Sequence, residues 1–230
     1  MKEILKWIIR CIYPKRCKYC KIVIDVRREM CHTCENTLQR IDGEICCLCG
    51  KSVSDCDCEH KKHFYKAVCA PFYYEGAAGR AIRHLKFNSR PTISKTLAED
   101  MAECFNRHYN GYDFDYCTFV PSAKEDIKKR GYNQAELLAR DFCEITGLEC
   151  ESLLVKRFPT ECQHNLTGIE RSGNLLGAID LKSDVDIKDS RILLIDDIKT
   201  TGSTLNECAK VLRIGGAAEV FCLTVAVTNK

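Results

Sequence analysis

The sequence has no uninterrupted apolar run near the roughly 18–20 residues that a membrane-spanning helix requires. It also lacks internal repeats and low-complexity tracts, which argues against solenoid and disordered architectures. The phosphate-binding signature G-x-x-x-x-G-K-[ST] is absent, which argues against a nucleoside triphosphatase. Neither sign of charge dominates, because 35 Lys and Arg against 32 Asp and Glu leave a net charge of +3. This total gives no general reason to expect a polyanionic partner.

The N-terminal stretch lacks the features of a secretory signal. Lys and Arg interrupt its apolar residues, and no small-residue cleavage site follows. A short amphipathic helix is predicted from the spacing of Ile4, Leu5, Trp7, Ile8 and Ile12. Two interpretations stay open: this helix docks on the protein itself, or it contacts a membrane surface. Without a signal or a span, we expect a cytoplasmic protein.

Cysteine is abundant and unevenly placed. Of 18 cysteines in 230 residues, ten precede residue 59. In a chain without a secretory signal, clustered cysteines indicate metal ligands before disulfides. The scattered ones are predicted to be small buried hydrophobic residues: Cys69, Cys104, Cys117, Cys143, Cys150, Cys162, Cys208 and Cys222.

Four cysteine pairs mark a metal-binding segment. Two thiolates separated by two residues can turn toward one ion, and two such pairs complete a tetrahedral zinc shell. The predicted ligands are Cys17, Cys20, Cys31, Cys34, Cys46, Cys49, Cys56 and Cys58. Cys47 is adjacent to a ligand and is predicted not to be one. The spacing leaves open whether consecutive pairs share an ion or cross, and a redox-active or disulfide-bonded segment is the alternative.

Strands and helices alternate from residue 65 onward. Strands are predicted at 68–74, 116–121, 152–157, 175–181, 191–197 and 218–227, and helices at 78–87, 93–109, 133–147 and 203–216. This alternation indicates βαβ units. The predicted fold class is therefore α/β, a mostly parallel sheet flanked by helices. We expect two units, a small cysteine-rich zinc module at 1–64 and the α/β domain at 65–230.

In LLIDDIKTTGST, residues 193–204, a buried strand runs directly into two aspartates and a hydroxyl-rich turn. The turn follows the carboxyl end of the strand, where open α/β sheets bind ligands. Backbone N–H groups at a helix start can converge on a phosphate. The residues predicted to do so are Lys199, Thr200, Thr201, Gly202, Ser203 and Thr204. Asp196 and Asp197 would repel that phosphate and suit the hydroxyls of an attached ribose. The stretch predicts a ribose 5-phosphate site; an accidental strand–turn–helix is the alternative.

A basic segment follows the strand that is predicted at 116–121. We predict it to be a loop in which Lys128, Lys129, Arg130 and Gly131 hold a pyrophosphate, since Arg suits bidentate phosphate contact. A solvated basic loop is the alternative.

The pattern D-D-x-x-T-T-G-x-T after an apolar strand resembles the phosphoribosyl diphosphate (PRPP) motif of type I phosphoribosyltransferases. With the cysteine pairs, YEGAAGRAIRHLKF, RGYNQAELLA and NLTGIERSGNLLGA, the sequence resembles the ComF/GntX family almost end to end. That resemblance implies a double zinc ribbon on a type I phosphoribosyltransferase fold, with PRPP and Mg²⁺ as ligands. It also implies an association with natural competence and DNA uptake.

The resemblance further implies a lid and shows two departures from the family pattern. In the resembled fold a loop closes over PRPP. That place is filled by residues 159–174, with Gln163, Arg171 and Asn174 as the expected contacts. Here C-x-C replaces C-x-x-C at the last cysteine pair, and VPSAKED is less basic than the family's usual loop start.

Two functions are compatible with these residues. The first is a PRPP-dependent phosphoribosyltransferase in which Asp196 and Asp197 stabilise a cationic sugar and Arg171, a lid contact, is the third predicted catalytic residue. Residues 69–112 carry no readable code for its acceptor. The second is a non-catalytic sensor of PRPP or a nucleotide that contacts single-stranded DNA or a helicase partner. Its support is basic and aromatic: Lys15, Arg16, Lys18, Lys21, Arg27 and Arg28 with Tyr13 and Tyr19. A solvated face that offsets thiolate charge is the alternative for these basic residues.

Overall fold

The computed structural model describes residues 13–59, 62–87, 92–156 and 178–229. The predicted N-terminal helix, Cys162 and the predicted lid contacts Gln163, Arg171 and Asn174 lie outside these ranges. No helix within them combines the length and the hydropathy needed to cross a bilayer.

Among the described residues, five parallel strands form the central sheet. Numbered in chain order, they are β1 (Ala67–Cys69), β2 (Phe72–Tyr73), β3 (Tyr116–Phe119), β6 (Arg191–Lys199) and β7 (Glu219–Val227). The sheet order is β1-β7-β6-β3, and β2 also pairs with β7. A separate antiparallel pair is formed by β4 (Leu154–Lys156) and β5 (Ile179–Leu181). The prediction of a mostly parallel sheet is confirmed, although the strand predicted at 68–74 is divided into β1 and β2.

The described residues form six α-helices. They are α1 (His32–Thr37) in the N-terminal segment, then α2 (Gly76–Phe87), α3 (Ile93–His108), α4 (Lys124–Arg130), α5 (Gln134–Thr146) and α6 (Ser203–Ile214). Sequence signals explain their ends: the Asn133 side chain accepts from Ala135 N at the start of α5, and left-handed Gly147 ends it. The apolar stripe of α6 is buried, as its spacing predicts.

The order of the strands reverses between β3 and β6. Helix α5 leads from β3 to Cys150, which bridges in parallel to Cys117. Helix α6 leads in the other direction, from β6 to β7. Because such crossovers are right-handed, α5 and α6 lie on opposite faces of the sheet. The carboxyl ends of β3 and β6 therefore flank the point at which open α/β sheets bind ligands.

The core is centred on the two long strands. Leu193, Leu194, Ile195 and Leu223 have no exposed surface. The prediction that scattered cysteines fill the core is confirmed for those described, with Cys150 only partly buried: Cys69, Cys104, Cys117, Cys143, Cys208 and Cys222 are buried.

The cysteine-rich segment packs directly on the α/β domain. The Tyr19 hydroxyl donates to Asp100 at 2.8 Å, and Arg40 forms an ion pair with the same carboxylate at 3.2 Å. Arg80 of α2 donates to Thr37 at the end of α1 at 2.9 Å. Both parts contribute to one hydrophobic core, and the division at residues 64 and 65 stays a prediction.

Candidate functional site

The eight predicted ligand cysteines form two groups of four. Cys17, Cys20, Cys31 and Cys34 make the first cluster, and Cys46, Cys49, Cys56 and Cys58 make the second. Within each cluster every sulfur lies within 4.8 Å of the others. Consecutive pairs therefore share a site, which answers the question of pairing that the spacing left open. Cys47 is exposed and belongs to neither cluster.

The sulfur spacing fits zinc. Four ligands at about 2.3 Å from one ion in a tetrahedron lie about 3.8 Å from each other. The Sγ atoms of Cys20 and Cys31 are 3.6 Å apart, and those of Cys49 and Cys56 are 3.7 Å apart. The C-x-C pair, Cys56 and Cys58, has its sulfurs 3.5 Å apart. The altered last pair therefore still completes a four-sulfur set.

Backbone donors favour the thiolate form at one cysteine of each cluster. Burial raises the pKa of Cys17, but hydrogen bonds from the N–H groups of Cys20, Cys31 and Tyr19 outweigh it and bring the pKa to about 6. The same opposition of burial and backbone donors brings the pKa of Cys46 to about 7. Burial raises the pKa of Cys34 and Cys49, in the same clusters, to about 12. Because metals bind the thiolate, zinc would displace the protons of these two cysteines when it binds.

The aspartate pair lies at the end of β6. The strand predicted at 191–197 includes both residues, and β6 extends two residues further because it stays paired with nine-residue β7 as far as Lys199. Adjacent strand residues point to opposite faces. Asp197 lies on the face of α2, and Asp196 interacts with Cys208 on α6. The two carboxylates therefore do not share one face.

Burial and neighbouring charge distinguish the two aspartates. Burial, followed by the charge of Asp197, raises the pKa of Asp196. Asp197 is 8% exposed and pairs with Lys86 of α2, whose Nζ lies 2.7 Å from Oδ2. Lys86 is a candidate site residue that the sequence analysis missed, because it pairs with Asp197. Its position at the C-terminal end of a helix in RHLKF gives no local sign that it reaches β6.

The phosphate loop, residues 199–204, joins β6 to α6. Gly202 is left-handed with φ of +81° and precedes the first residue of α6. Thr200 and Thr201 are exposed, and the Thr201 hydroxyl lies 2.9 Å from that of Ser203. The loop therefore presents hydroxyls and the start of a helix at the carboxyl edge, an arrangement suited to an anion.

The side chain of Lys199, the first residue of this loop, is buried beneath the other loop residues. It is 8% exposed, and its Cε is 3.0 Å from the position that a Cβ at Gly202 would take. Burial lowers its pKa, and interaction with Cys49 and Cys58 opposes that shift. Lys199 is therefore placed between the phosphate loop and the second cysteine cluster, rather than exposed to a ligand.

The basic segment after β3 is a helix. The prediction of a loop at Lys128–Gly131 is wrong, because α4 spans Lys124–Arg130 and left-handed Gly131 ends it. The physical reason lies in its charges: Glu125 and Asp126 occupy the first turn and the basic residues occupy the last, which matches the helix dipole.

Helix α4 begins at the carboxyl edge of the sheet. Val120 N donates to Ile195 O at 3.0 Å, which places the start of this connection beside the strand that carries the aspartates. The Tyr132 hydroxyl donates to Leu85 O at 2.6 Å, so the end of α4 lies near the end of α2 and Lys86. The two segments that are predicted to bind phosphate therefore follow the ends of β3 and β6, which are neighbouring strands.

The basic and aromatic surface expected to contact single-stranded DNA is reduced. Ion pairs join Lys15 to Glu29, Arg27 to Asp25 and Arg28 to Glu35. Tyr19 has no exposed surface, because its ring is in the core and its hydroxyl bonds Asp100, so its prediction as a stacking residue is wrong. Tyr13 is 79% exposed.

Comparison with known proteins agrees with this geometry. The phosphoribosyl transferase domain family matches residues 128–230. Competence protein ComFC of Streptococcus pneumoniae is 32% identical over 196 residues, covering 83% of this chain and 84% of that protein. ComFC of Bacillus subtilis is 29% identical over 210 residues, covering 86% and 83% respectively. DNA utilization protein YhgH of Salmonella typhimurium is 27% identical over 223 residues, covering 91% and 96%.

Proposed function

Since the chain belongs to the ComFC family of competence proteins, we propose that it binds PRPP and transfers its phosphoribosyl group, in a role linked to DNA uptake. The observation that carries this proposal is the phosphate loop. Left-handed Gly202 opens a helix five residues after the two aspartates, at the point where the strand order reverses. That arrangement suits a phosphorylated sugar.

The 5-phosphate of the sugar would bind at residues 199–204. The start of α6 supplies backbone N–H groups and the positive end of the helix dipole. The exposed hydroxyls of Thr200 and Thr201 add donors. Left-handed Gly202 supports this proposal, since it turns the chain into the helix start that presents these N–H groups.

The aspartates would serve the ribose. Asp197, on the α2 face, forms an ion pair with Lys86 in which Oδ2 lies 2.7 Å from Nζ. This ion pair holds the carboxylate in position before substrate arrives. A fixed carboxylate stabilises positive charge that develops on the sugar as the bond to pyrophosphate breaks. Asp196, on the other face, would support Asp197 by the hydrogen bond that its Oδ1 accepts from Asp197 N at 2.8 Å.

Pyrophosphate would bind near the end of α4. Lys128, Lys129, Arg130 and Gly131 follow the strand end adjacent to β6 and bring positive charge to the same edge. Mg²⁺ would neutralise the phosphates when PRPP binds. Arg171 completes the proposed catalytic set, and zinc at the two cysteine clusters has a structural role.

A second candidate function is a DNA-binding module without transfer activity. The names of the relatives, which refer to competence and DNA utilization, favour it. Lys18 and Lys21, together with exposed Tyr13, would contribute to a contact with single-stranded DNA. A helicase of the uptake machinery is the proposed protein partner.

Pyrophosphate release separates the two functions. PRPP with Mg²⁺ is incubated with a panel of nucleobases and nucleic acids, and Asp197→Asn is compared with the unaltered protein. We expect Asp197→Asn to bind PRPP but to lose about 10²–10³ in turnover, as for one electrostatic group in an active site. Salt-sensitive binding to oligonucleotides, with no pyrophosphate release from any acceptor, would favour the DNA-binding module.

A further inference from the structure

Tyr65 joins the second cysteine cluster to the phosphate loop. Its hydroxyl donates to Leu48 O at 2.9 Å, within the turn between Cys46 and Cys49. The same hydroxyl lies 3.5 Å from the position that a Cβ at Gly202 would take. Tyr65 is 3% exposed, so packing fixes its ring. One buried side chain therefore hydrogen-bonds the cysteine turn and lies beside the phosphate loop.

Asn206 makes a second connection on the helix side. Its backbone N–H donates to Gly202 O at 2.9 Å, and its side-chain Oδ1 accepts from Phe64 N at 2.8 Å. Because Phe64 directly precedes Tyr65, the segment at 64–65 is hydrogen-bonded to the first turn of α6 as well as to the cysteine turn.

The turn between Cys46 and Cys49 is also hydrogen-bonded to the central sheet. Val68 N of β1 donates to Cys47 O at 2.8 Å. A Cβ at Gly50 would lie 3.2 Å from Val227 Cγ1, and Val227 pairs with Lys199 at the start of the phosphate loop. Since a four-cysteine site depends on its metal for folding, zinc in the second cluster fixes this turn and the position of Leu48.

We propose that Tyr65 is a positioning residue through which the second cysteine cluster orders the phosphate loop, so that zinc binding and PRPP binding reinforce each other. The inference rests on the proposed PRPP site. A loop that is already ordered loses less conformational freedom on binding phosphate, which raises affinity. By linkage, bound PRPP must then hold the zinc of the second cluster more firmly.

Tyr65→Phe tests this connection because it removes the hydroxyl and keeps the ring. Tyr73→Phe is the matched control. The Tyr73 hydroxyl also hydrogen-bonds the segment that carries the second cysteine cluster. It accepts from Ser52 N at 3.2 Å and donates to Asp55. Tyr73 is not among the residues nearest to the position of a Cβ at Gly202, which are Lys199 and Tyr65.

Three measurements are made on the full-length variants: zinc content, PRPP affinity by titration with Mg²⁺, and hydrogen exchange of the amides at 200–204. We expect both variants to retain the zinc content of the unaltered protein. Tyr65→Phe should bind PRPP about threefold to tenfold more weakly, because a loop that has lost this support must be ordered when the phosphate binds, and its loop amides should exchange faster. Tyr73→Phe should change neither quantity.

The outcomes distinguish this inference from the proposed function. If the unaltered protein binds PRPP but both variants bind and exchange alike, the inference is overturned and the PRPP site stands. If the unaltered protein does not bind PRPP, the proposed function fails and so does the mutual reinforcement. Loop exchange then still decides whether Tyr65 orders the loop. Loss of zinc from Tyr65→Phe would also overturn the inference, because Tyr65 would then support the metal site itself.

Discussion

Gly202→Ala is expected to separate backbone strain from loss of the phosphate site. Gly202 has φ of +81°, which an L residue adopts at a cost of about 1–2 kcal/mol. Its Cβ would also lie 3.0 Å from Lys199 Cε and 3.5 Å from the Tyr65 hydroxyl. Alanine therefore strains the loop and displaces its neighbours at the position where a phosphate must approach the backbone.

Gly147→Ala is the matched control for that strain. Gly147 has φ of +77° and ends α5. A Cβ at this position would meet no heavy atom within 4 Å. Both variants should lose about 1–2 kcal/mol of unfolding free energy, which lowers Tm by several degrees in a chain of this size. Gly202→Ala alone should also lose charge-assisted hydrogen bonds to phosphate.

Calorimetric titration with PRPP and Mg²⁺ measures the difference. One lost hydrogen bond to a charged group costs about 1.5–3 kcal/mol, so PRPP affinity should fall about tenfold to hundredfold in Gly202→Ala and stay unchanged in Gly147→Ala. Equal PRPP affinity in the two variants would refute the placement of a phosphate at this loop.

Three further predictions concern metal, packing and charge. Cys31→Ser should lose one of two zinc equivalents by metal analysis while Cys47→Ser keeps both, because only Cys31 belongs to a cluster; equal zinc content would contradict the ligand assignment. Gly76→Ala should lower the unfolding free energy in urea by about 2–3 kcal/mol, against about 1 kcal/mol for Gly111→Ala. The reason is that a Cβ at Gly76 would meet Thr37 O at 1.9 Å, whereas nothing lies within 4 Å at Gly111; similar losses would contradict the packing of α1 on α2. Asp196→Asn should gain thermal stability relative to the unaltered protein as pH rises from 5 to 8. Burial and the charge of Asp197 raise the folded-state pKa of Asp196 to about 8, so the unfolded chain releases this proton at a lower pH than the folded protein does. Stability therefore falls as pH rises over that range, and asparagine removes this loss. A difference in Tm that does not grow with pH would contradict this.

The features that the sequence predicts well are those set by local spacing. Cysteine pairs separated by one or two residues determine which sulfurs can meet, so the eight ligands were identifiable before the fold was known. The stretch from Leu193 to Thr204 is similarly local, since an apolar strand, a glycine turn and a helix start follow directly along the chain. Only the extension of β6 to Lys199 depended on a partner strand, β7, and was missed.

The features that the sequence hides depend on contacts between distant segments. Lys86 and Tyr65 reach the carboxyl edge from α2 and from the residues before β1, and neither has a local pattern that shows it. Tyr19 has basic neighbours in sequence but bonds Asp100 in the core. Helix α4 did have local signals, acidic residues first and basic residues last before Gly131, but the basic residues were interpreted as a ligand-binding loop.

The central claim is that one site at the carboxyl edge binds both ends of PRPP. It is tested most directly by titrating the unaltered protein with PRPP, ribose 5-phosphate and inorganic pyrophosphate, each with Mg²⁺. Because the phosphate loop and the end of α4 would each bind one part of the same molecule, PRPP should bind at one site per chain and more tightly than either fragment. Affinity for PRPP no greater than that for pyrophosphate alone would contradict the account.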